Sequence, residues 1–235
     1  MTGYRYYDTR EIKAQYPFGF GLSYTEFTYS NLQLSSEILH KGDVLRLSVD
    51  ITNIGTRKGK EVVQIYVQDV ESYLPRPCKE LKGFAKVSLD PGETKNVELK
   101  LDESAFSYYV PHLGRFAVES GVFEIMAGSS SEDIRLQAQV MFYSEDEVRT
   151  PLTYDDRFGD FLEDDRYAAY AKKILDQYQV DQGFMLYELL YGSAVRQMPE
   201  IISYAGADMK EAKREMENLV CCRFYKEEIE KGDMA

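Results

Sequence analysis

At 235 residues the chain is long for one domain and comfortable for two, since most domains run to roughly 100–200 residues. Its 44% apolar and 29% charged residues match a folded core and not a disordered chain. A formal net charge of −12 opposes binding to phosphate backbones, which relies on Lys and Arg, so nucleic acid is excluded as an expected partner. The acidic excess is uneven: 21 Asp and Glu against 12 Lys and Arg from Ser144 onward, and 19 against 16 before it.

Residues Gly3 to Tyr24 carry Tyr4, Tyr6, Tyr7, Tyr16, Phe18, Phe20 and Tyr24 around Pro17-Phe18-Gly19-Phe20-Gly21, a run that sustains neither regular element. This predicts an ordered loop whose aromatic area must pack on something, in the first instance a larger body. From Thr28 the period becomes two. Leu45, Leu47, Val49 and Ile51 alternate with Arg46, Ser48, Asp50 and Thr52, the pattern of a half-buried strand. Asn53-Ile54-Gly55 breaks it, and Val63, Ile65 and Val67 resume it over Glu61–Gln68, giving a hairpin-like pair. Further strands are expected at Leu81–Leu89, Thr94–Leu101, Gly114–Val118, Val122–Ala127 and Ile134–Val140, with turns at Pro91-Gly92-Glu93, Ser120-Gly121 and Ser129-Ser130-Ser131. About seven strands in roughly 100 residues fit an immunoglobulin-like sandwich.

After Ser144 the pattern changes to helical. Tyr167, Ala171, Ile174, Leu175 and Tyr178 mark one helix, and Leu186, Leu189, Leu190 and Ser193 a second, interrupted by Pro199. A third is expected over Met209–Glu230, with Asp208 and Glu211 as a capping box and Met209, Ala212, Met216, Leu219 and Val220 as its apolar stripe. The resulting plan is a loop over 1–27, a β-sandwich over 28–143, a linker over 144–160 and a helical tail over 161–235. The fold class is mainly β, an immunoglobulin/fibronectin-III-like sandwich followed by a short α-helical region.

Candidate chemistry is sparse. Asp155-Asp156 and Asp164-Asp165 sit in or beside a charged linker, where aspartates start helices. His40 lies beside Lys41-Gly42 and His112 follows Pro111, neither with a Ser, Cys or metal-spaced partner. Cys78, Cys221 and Cys222 supply no tetrahedral ligand set, and their odd number predicts free thiols in a reducing compartment. Gly19, Gly21 and Gly128-Ser129-Ser130 lack the strand-loop-helix setting of a phosphate loop and read as turns. Catalytic, cofactor and metal residues are therefore all expected to be none. No basic-then-apolar leader follows Met1 and no run is long enough to cross a bilayer, so a cytoplasmic chain without a membrane partner is expected, with the reservation that a fragment loses any leader.

Several blocks in order carry a resemblance: Gly3-Tyr4-Arg5-Tyr6-Tyr7-Asp8, Tyr16-Pro17-Phe18-Gly19-Phe20-Gly21-Leu22-Ser23-Tyr24, Gly59 to Val67, Arg76-Pro77-Cys78-Lys79-Glu80-Leu81-Lys82-Gly83-Phe84, Pro91-Gly92-Glu93, Gly121 to Ile125 and Gly128 to Leu136. Together they resemble the C-terminal end of family-3 glycoside hydrolases of β-glucosidase and β-xylosidase type, over Gly3 to about Phe142. Phe20 stands where many members have His, Phe116 where Trp is frequent, and Ser120 where Pro is common. Pro199 and the helix layout resemble extensions carried by some members.

The resemblance implies a non-catalytic module bracing barrel and α/β-sandwich catalytic domains, supplied by the same gene or a neighbouring chain. The retaining mechanism needs a carboxylate nucleophile and an acid/base carboxyl about 5–5.5 Å apart, and the family holds both in the domains that precede this region. No residue of this chain corresponds to either, so the chain alone is expected to be inactive. Two further readings stay open: a stand-alone carbohydrate-binding sandwich, and an interaction module or homo-oligomer formed through the tail.

Overall fold

The computed structural model describes residues 1–180, 185–204 and 206–221. Among them the strands are β1 (Phe27–Leu34), β2 (Ile38–His40), β3 (Leu45–Asn53), β4 (Gly59–Asp69), β5 (Glu80–Leu89), β6 (Thr94–Leu101), β7 (Tyr108–Val110), β8 (Arg115–Ala117), β9 (Gly121–Gly128) and β10 (Ile134–Tyr143). The helices are α1 (Tyr4–Thr9), α2 (Phe158–Glu163), α3 (Ala168–Gln177), α4 (Met185–Gly192), α5 (Met198–Tyr204) and α6 (Met209–Val220). The chain divides into two units, Met1–Thr150 and Pro151–Ala235.

The first unit is a β-sandwich. One sheet has the order β1-β3-β6, and the other β2-β10-β9-β4-β5, with β2 joining β10 in parallel and the other pairs antiparallel. Leu45, Leu47, Val49 and Ile51 of β3 face Val63, Ile65 and Val67 of β4 and Phe123, Ile125 and Ala127 of β9 in one core. Phe106 closes it, 5.2 Å from the Phe123 ring and 5.5 Å from Phe142. Each such side chain contributes about 1.5–3 kcal/mol over leaving it exposed.

The alternation expected for β3 and β4 is present, but the two strands are not a hairpin. β3 pairs with β1 and β6, whereas β4 pairs with β5 and β9. Alternation sets which side chains face inward and is identical whether the next strand stays in the sheet or crosses to the opposite one. The crossing is built on Asn53, wholly buried. Its side chain accepts from Thr25 Oγ1 (2.6 Å) and Gly55 N, and donates to the carbonyls of Arg57 (2.8 Å) and Leu89 (3.2 Å). A corner that looked like a turn is a polar knot between sheets.

Among the described residues of the second unit, five short helices pack around Phe158, Phe161, Tyr167, Ala171, Ile174, Leu190, Val195, Met198, Met216 and Leu219. Three were expected. The stretch 144–160 is not a free linker: from Pro151 it belongs to the helical unit, where Phe158 N donates to Ser193 O (2.9 Å) and Val195 N to Asp156 O (3.0 Å), and Phe158 starts α2 in the core. Pro199 lies beyond the end of α4, in the first turn of α5, where its missing N–H costs nothing. Asp208 caps α6 through Glu211 N (2.9 Å). The part of the expected third helix beyond Cys221 lies outside the described residues. No described helix is long and apolar enough to cross a membrane.

Candidate interface on the N-terminal strap

Residues 1–27, expected as a loop, begin with a helix. Six residues are too few for a helix to persist alone, and α1 has no side-chain cap and no buried residue. It exists because the sandwich holds it. The Tyr4 hydroxyl accepts from Leu81 N (2.7 Å), Cys78 N donates to Thr9 Oγ1 (3.0 Å), Arg5 Nη1 reaches Glu80 Oε1 (2.8 Å) and Lys79 Nζ lies 3.0 Å from Asp8 Oδ2. Behind this contact Arg76, its side chain only 9% exposed, joins Glu80 (3.3 Å) to Asp69 (2.9 Å), while Lys82 sits 3.4 Å from Glu80. Burial pushes the Glu80 carboxyl up, but Lys82, Arg5 and Arg76 outweigh it and hold it below its ordinary value. Burial lowers the Lys82 ammonium more than Glu80 raises it.

A second anchor lies at the Pro17–Phe20 turn, closed by Phe20 N donating to Pro17 O (3.0 Å) with Gly19 at φ +81°. Gln64 of β4 donates from Nε2 to the carbonyls of Gly19 (3.2 Å) and Ser129 (2.5 Å), and its Oε1 accepts from Tyr66 (2.6 Å). Ser131 N donates to Phe18 O (2.8 Å). Phe18 stacks on Tyr4 at 4.4 Å, and Tyr4 meets Tyr66 edge-on at 6.2 Å. Gln64 and Tyr66 alternate with the core residues of β4 and so face away from the core, yet both are buried. The strap therefore lies across the outer face of the five-stranded sheet.

What the strap does not bury is as informative. Leu22 is 92% exposed, Tyr24 90%, Tyr16 70% and Phe84, which pairs with Gln64 across β4 and β5, 68%. Phe20 is half-exposed, 5.9 Å from the Tyr16 ring. A groove of about 790 Å³ runs beside them, lined by Phe20, Leu22, Glu26, Lys60, Lys86 and Arg135 among others. Its inner wall is ordered. Arg135 lies over the Tyr29 ring (4.6 Å) and donates to Phe27 O (2.7 Å), and the Tyr29 hydroxyl donates to Glu61 Oε1 (2.8 Å). Burial, and then the neighbouring Glu61, raise the Tyr29 phenol, and burial raises the Glu61 carboxyl despite Tyr29 and Arg135. Exposed rings elsewhere on the sandwich stand edge-on, as in Tyr109–Phe116 (74°), or lie stacked on one another, as in His40–Tyr143 (21°). Neither forms a flat row for successive sugar rings.

The acidic candidates and His112 have partners of their own. Asp155 pairs with Arg196 and Asp156 accepts from Thr153 N (2.7 Å), while Asp164 pairs with Arg166 (2.6 Å). His112 contacts Glu147 O (3.2 Å). Cys78 is a half-buried free thiol and Cys221 an exposed one, with Cys222 outside the described residues. Gly128 opposes Asp133 O so closely that a Cβ would lie 2.2 Å from it, the geometry of a tight strand-end turn. Among the described residues no group of three or more His, Cys, Asp or Glu side chains could hold a metal ion. Gln64, Arg76 and Glu80, which fix the strap, went unassigned in the sequence. A polar residue centred in an apolar strand was the available sign for Gln64.

The family described as fibronectin type III-like domain matches residues 61–131. Thermostable β-glucosidase B of Acetivibrio thermocellus is 44% identical over 77% of this chain, and a β-glucosidase of Rhizobium radiobacter 44% identical over 60%. Among solved structures, a GH3 β-glucosidase of Bifidobacterium adolescentis covers 74% of the chain at 34% identity and TM-score 0.60, and β-glucosidase 3B of Thermotoga neapolitana covers 59% at 39% identity and TM-score 0.54. The chain spans about a quarter or less of these relatives: 24%, 17%, 24% and 19% of their lengths. The chain thus carries the fibronectin type III-like domain, with the following helical tail, of the GH3 β-glucosidases, corresponding to the C-terminal region of those longer proteins.

Proposed function

We propose that this chain is the non-catalytic C-terminal module of a family-3 glycoside hydrolase acting on O-glycosyl bonds, and that its N-terminal strap is the seat for the catalytic domains. One observation carries the reading: the strap is fastened to its own sandwich by hydrogen bonds and ion pairs, and turns Tyr16, Phe20, Leu22 and Tyr24 outward. A cluster of exposed apolar side chains along one short segment, in a chain that spans a quarter of its relatives' length, fits a surface covered by the rest of such a protein.

The test is a chimera in which this chain replaces the matching region of the Acetivibrio enzyme. Hydrolysis of an aryl β-glucoside is expected from the chimera and not from the enzyme truncated before that region. Leu22→Ser with Tyr24→Ser should leave the isolated chain within about 0.5 kcal/mol of its original stability, because both side chains are solvated there. In the chimera the same pair should lower the inactivation temperature. A chimera no more active than the truncated enzyme, or hydrolysis by the isolated chain itself, would overturn the proposal.

A further inference from the structure

We propose that the seat is preformed: the charged cluster around Glu80 is a clasp that holds the strap in its docked shape before any catalytic domain packs on it. The clasp gives the module a rigid, ordered surface for its partner, and depends on the preceding reading only for the identity of what that surface meets.

Three observations support the clasp. First, α1 cannot persist by itself, and its amides are nonetheless bonded, with Tyr6 N and Tyr7 N donating to Gly3 O, Arg10 N to Tyr6 O and Ile12 N to Tyr7 O. Second, the groups that hold it come from both partners and interlock. Arg5 on the strap meets Glu80 of β5, which is shared with Arg76 and Lys82 in a charge network with Asp69 at its buried end, and Asp8 on the strap pairs separately with Lys79 on the sandwich. Lys79 and Asp8 are 15% and 6% exposed at the side chain, which removes them from most solvent screening. Third, the far end of the strap is fixed independently by Gln64 and Ser131, so the intervening residues are tethered at both ends.

Ion pairs suit this duty. They hold α1 without occupying the outward-facing rings, which stay available for a partner, and they fix its register, because Arg5 and Asp8, three residues apart on the strap, must meet the neighbouring Glu80 and Lys79 together.

Hydrogen exchange on the full chain, with no partner present, tests the clasp. In the unmodified protein the amides of Tyr6, Tyr7, Arg10 and Ile12 should be protected well beyond a free peptide. The double variant Arg5→Met/Asp8→Asn, whose changes lie on the strap and outside the sandwich core, should lose about tenfold or more of that protection while Val49 and Ile51 keep theirs. Tyr4→Phe, which removes the hydroxyl that accepts from Leu81 N, should weaken the same amides alone. Unprotected strap amides in the unmodified chain, or unchanged protection in the double variant, would overturn the clasp. Neither outcome depends on the chimera, so the two proposals fail separately.

Discussion

Gly19→Ala tests the strap at its second anchor. At φ +81° an L side chain costs about 1–2 kcal/mol. The added Cβ would also lie 2.1 Å from Gln64 Oε1, 2.5 Å from Nε2 and 2.6 Å from Cδ, so the amide must leave. Displaced, it abandons the Gly19 and Ser129 carbonyls and the Tyr66 hydroxyl, and each buried polar group left unpaired costs about 1–3 kcal/mol. Lifting the strap lets water reach these groups, which caps the sum near about 2–4 kcal/mol. Because the chain has two units, a single melting curve is a poor reporter. Amide exchange at Ser131, whose N–H donates to Phe18 O, reads the strap directly. Its protection should fall about 30- to 1000-fold, at 1.36 kcal/mol per decade. Gln64→Ala should lose less than Gly19→Ala, and the double variant should be less destabilised than the sum, since the group struck by the methyl is gone. Additive losses, or unchanged protection at Ser131, would refute the close contact.

Glu61→Gln should raise the thermal stability of the sandwich at neutral pH. Burial raises the Glu61 carboxyl, and a carboxyl whose folded pKa exceeds its unfolded one subtracts stability as pH climbs from roughly 4.3 through the folded value. The advantage should therefore vanish below that window in melts compared at acid and neutral pH, and an advantage independent of pH would contradict the assignment. Tyr170→Phe removes the hydroxyl that donates to the buried Glu215 (2.5 Å) and should cost the helical unit about 1.5–3 kcal/mol, followed by far-UV circular dichroism on urea titration. Asp208→Ala removes the cap on α6 and should cost about 1 kcal/mol in the same titration.

The sandwich was legible because each long strand has one dry face. The alternation at Leu45–Ile51 and Val63–Val67, with Pro91-Gly92 and Ser129–Ser131 between later strands, locates the elements and their inward residues. What alternation could not give is which strand lies beside which, and β3 and β4 show why: residues from opposite sheets fill one core with the same period. Short elements were missed for a related reason. β2 and β7 have three residues each, too few to display a period, and α2 and α5 are six and seven long, whereas the equally short β8 falls within the strand expected over Gly114–Val118. The aromatic content of the strap was read as a demand for burial. Part of that demand is met inside the chain, by Phe18 on Tyr4 and Tyr4 on Tyr66, the latter a pairing between residues 62 positions apart that no local pattern announces.

The division of labour within the strap has a thermodynamic consequence for assembly. Ordering a backbone residue costs about 1–2 kcal/mol, so a strap that folded only on meeting its partner would set that cost for some twenty residues against the association, an amount on the order of 20–40 kcal/mol that few interfaces could offset. Here α1, the Pro17–Phe20 turn and the Thr25–Asn53 contact place the ordering within the sandwich itself. Polar anchors serve this better than apolar ones, because every ring used to hold the strap down is one fewer ring to cover later. Tyr4 and Phe18 are given to the sandwich, whereas Tyr16, Leu22 and Tyr24 are not. Among the strap's aromatic residues, ring contact with the sandwich therefore separates Tyr4 and Phe18, which shape the seat, from Tyr16 and Tyr24, which a partner would cover. Substitutions in the first group should act on the fold of the isolated chain, and substitutions in the second only on its assembly.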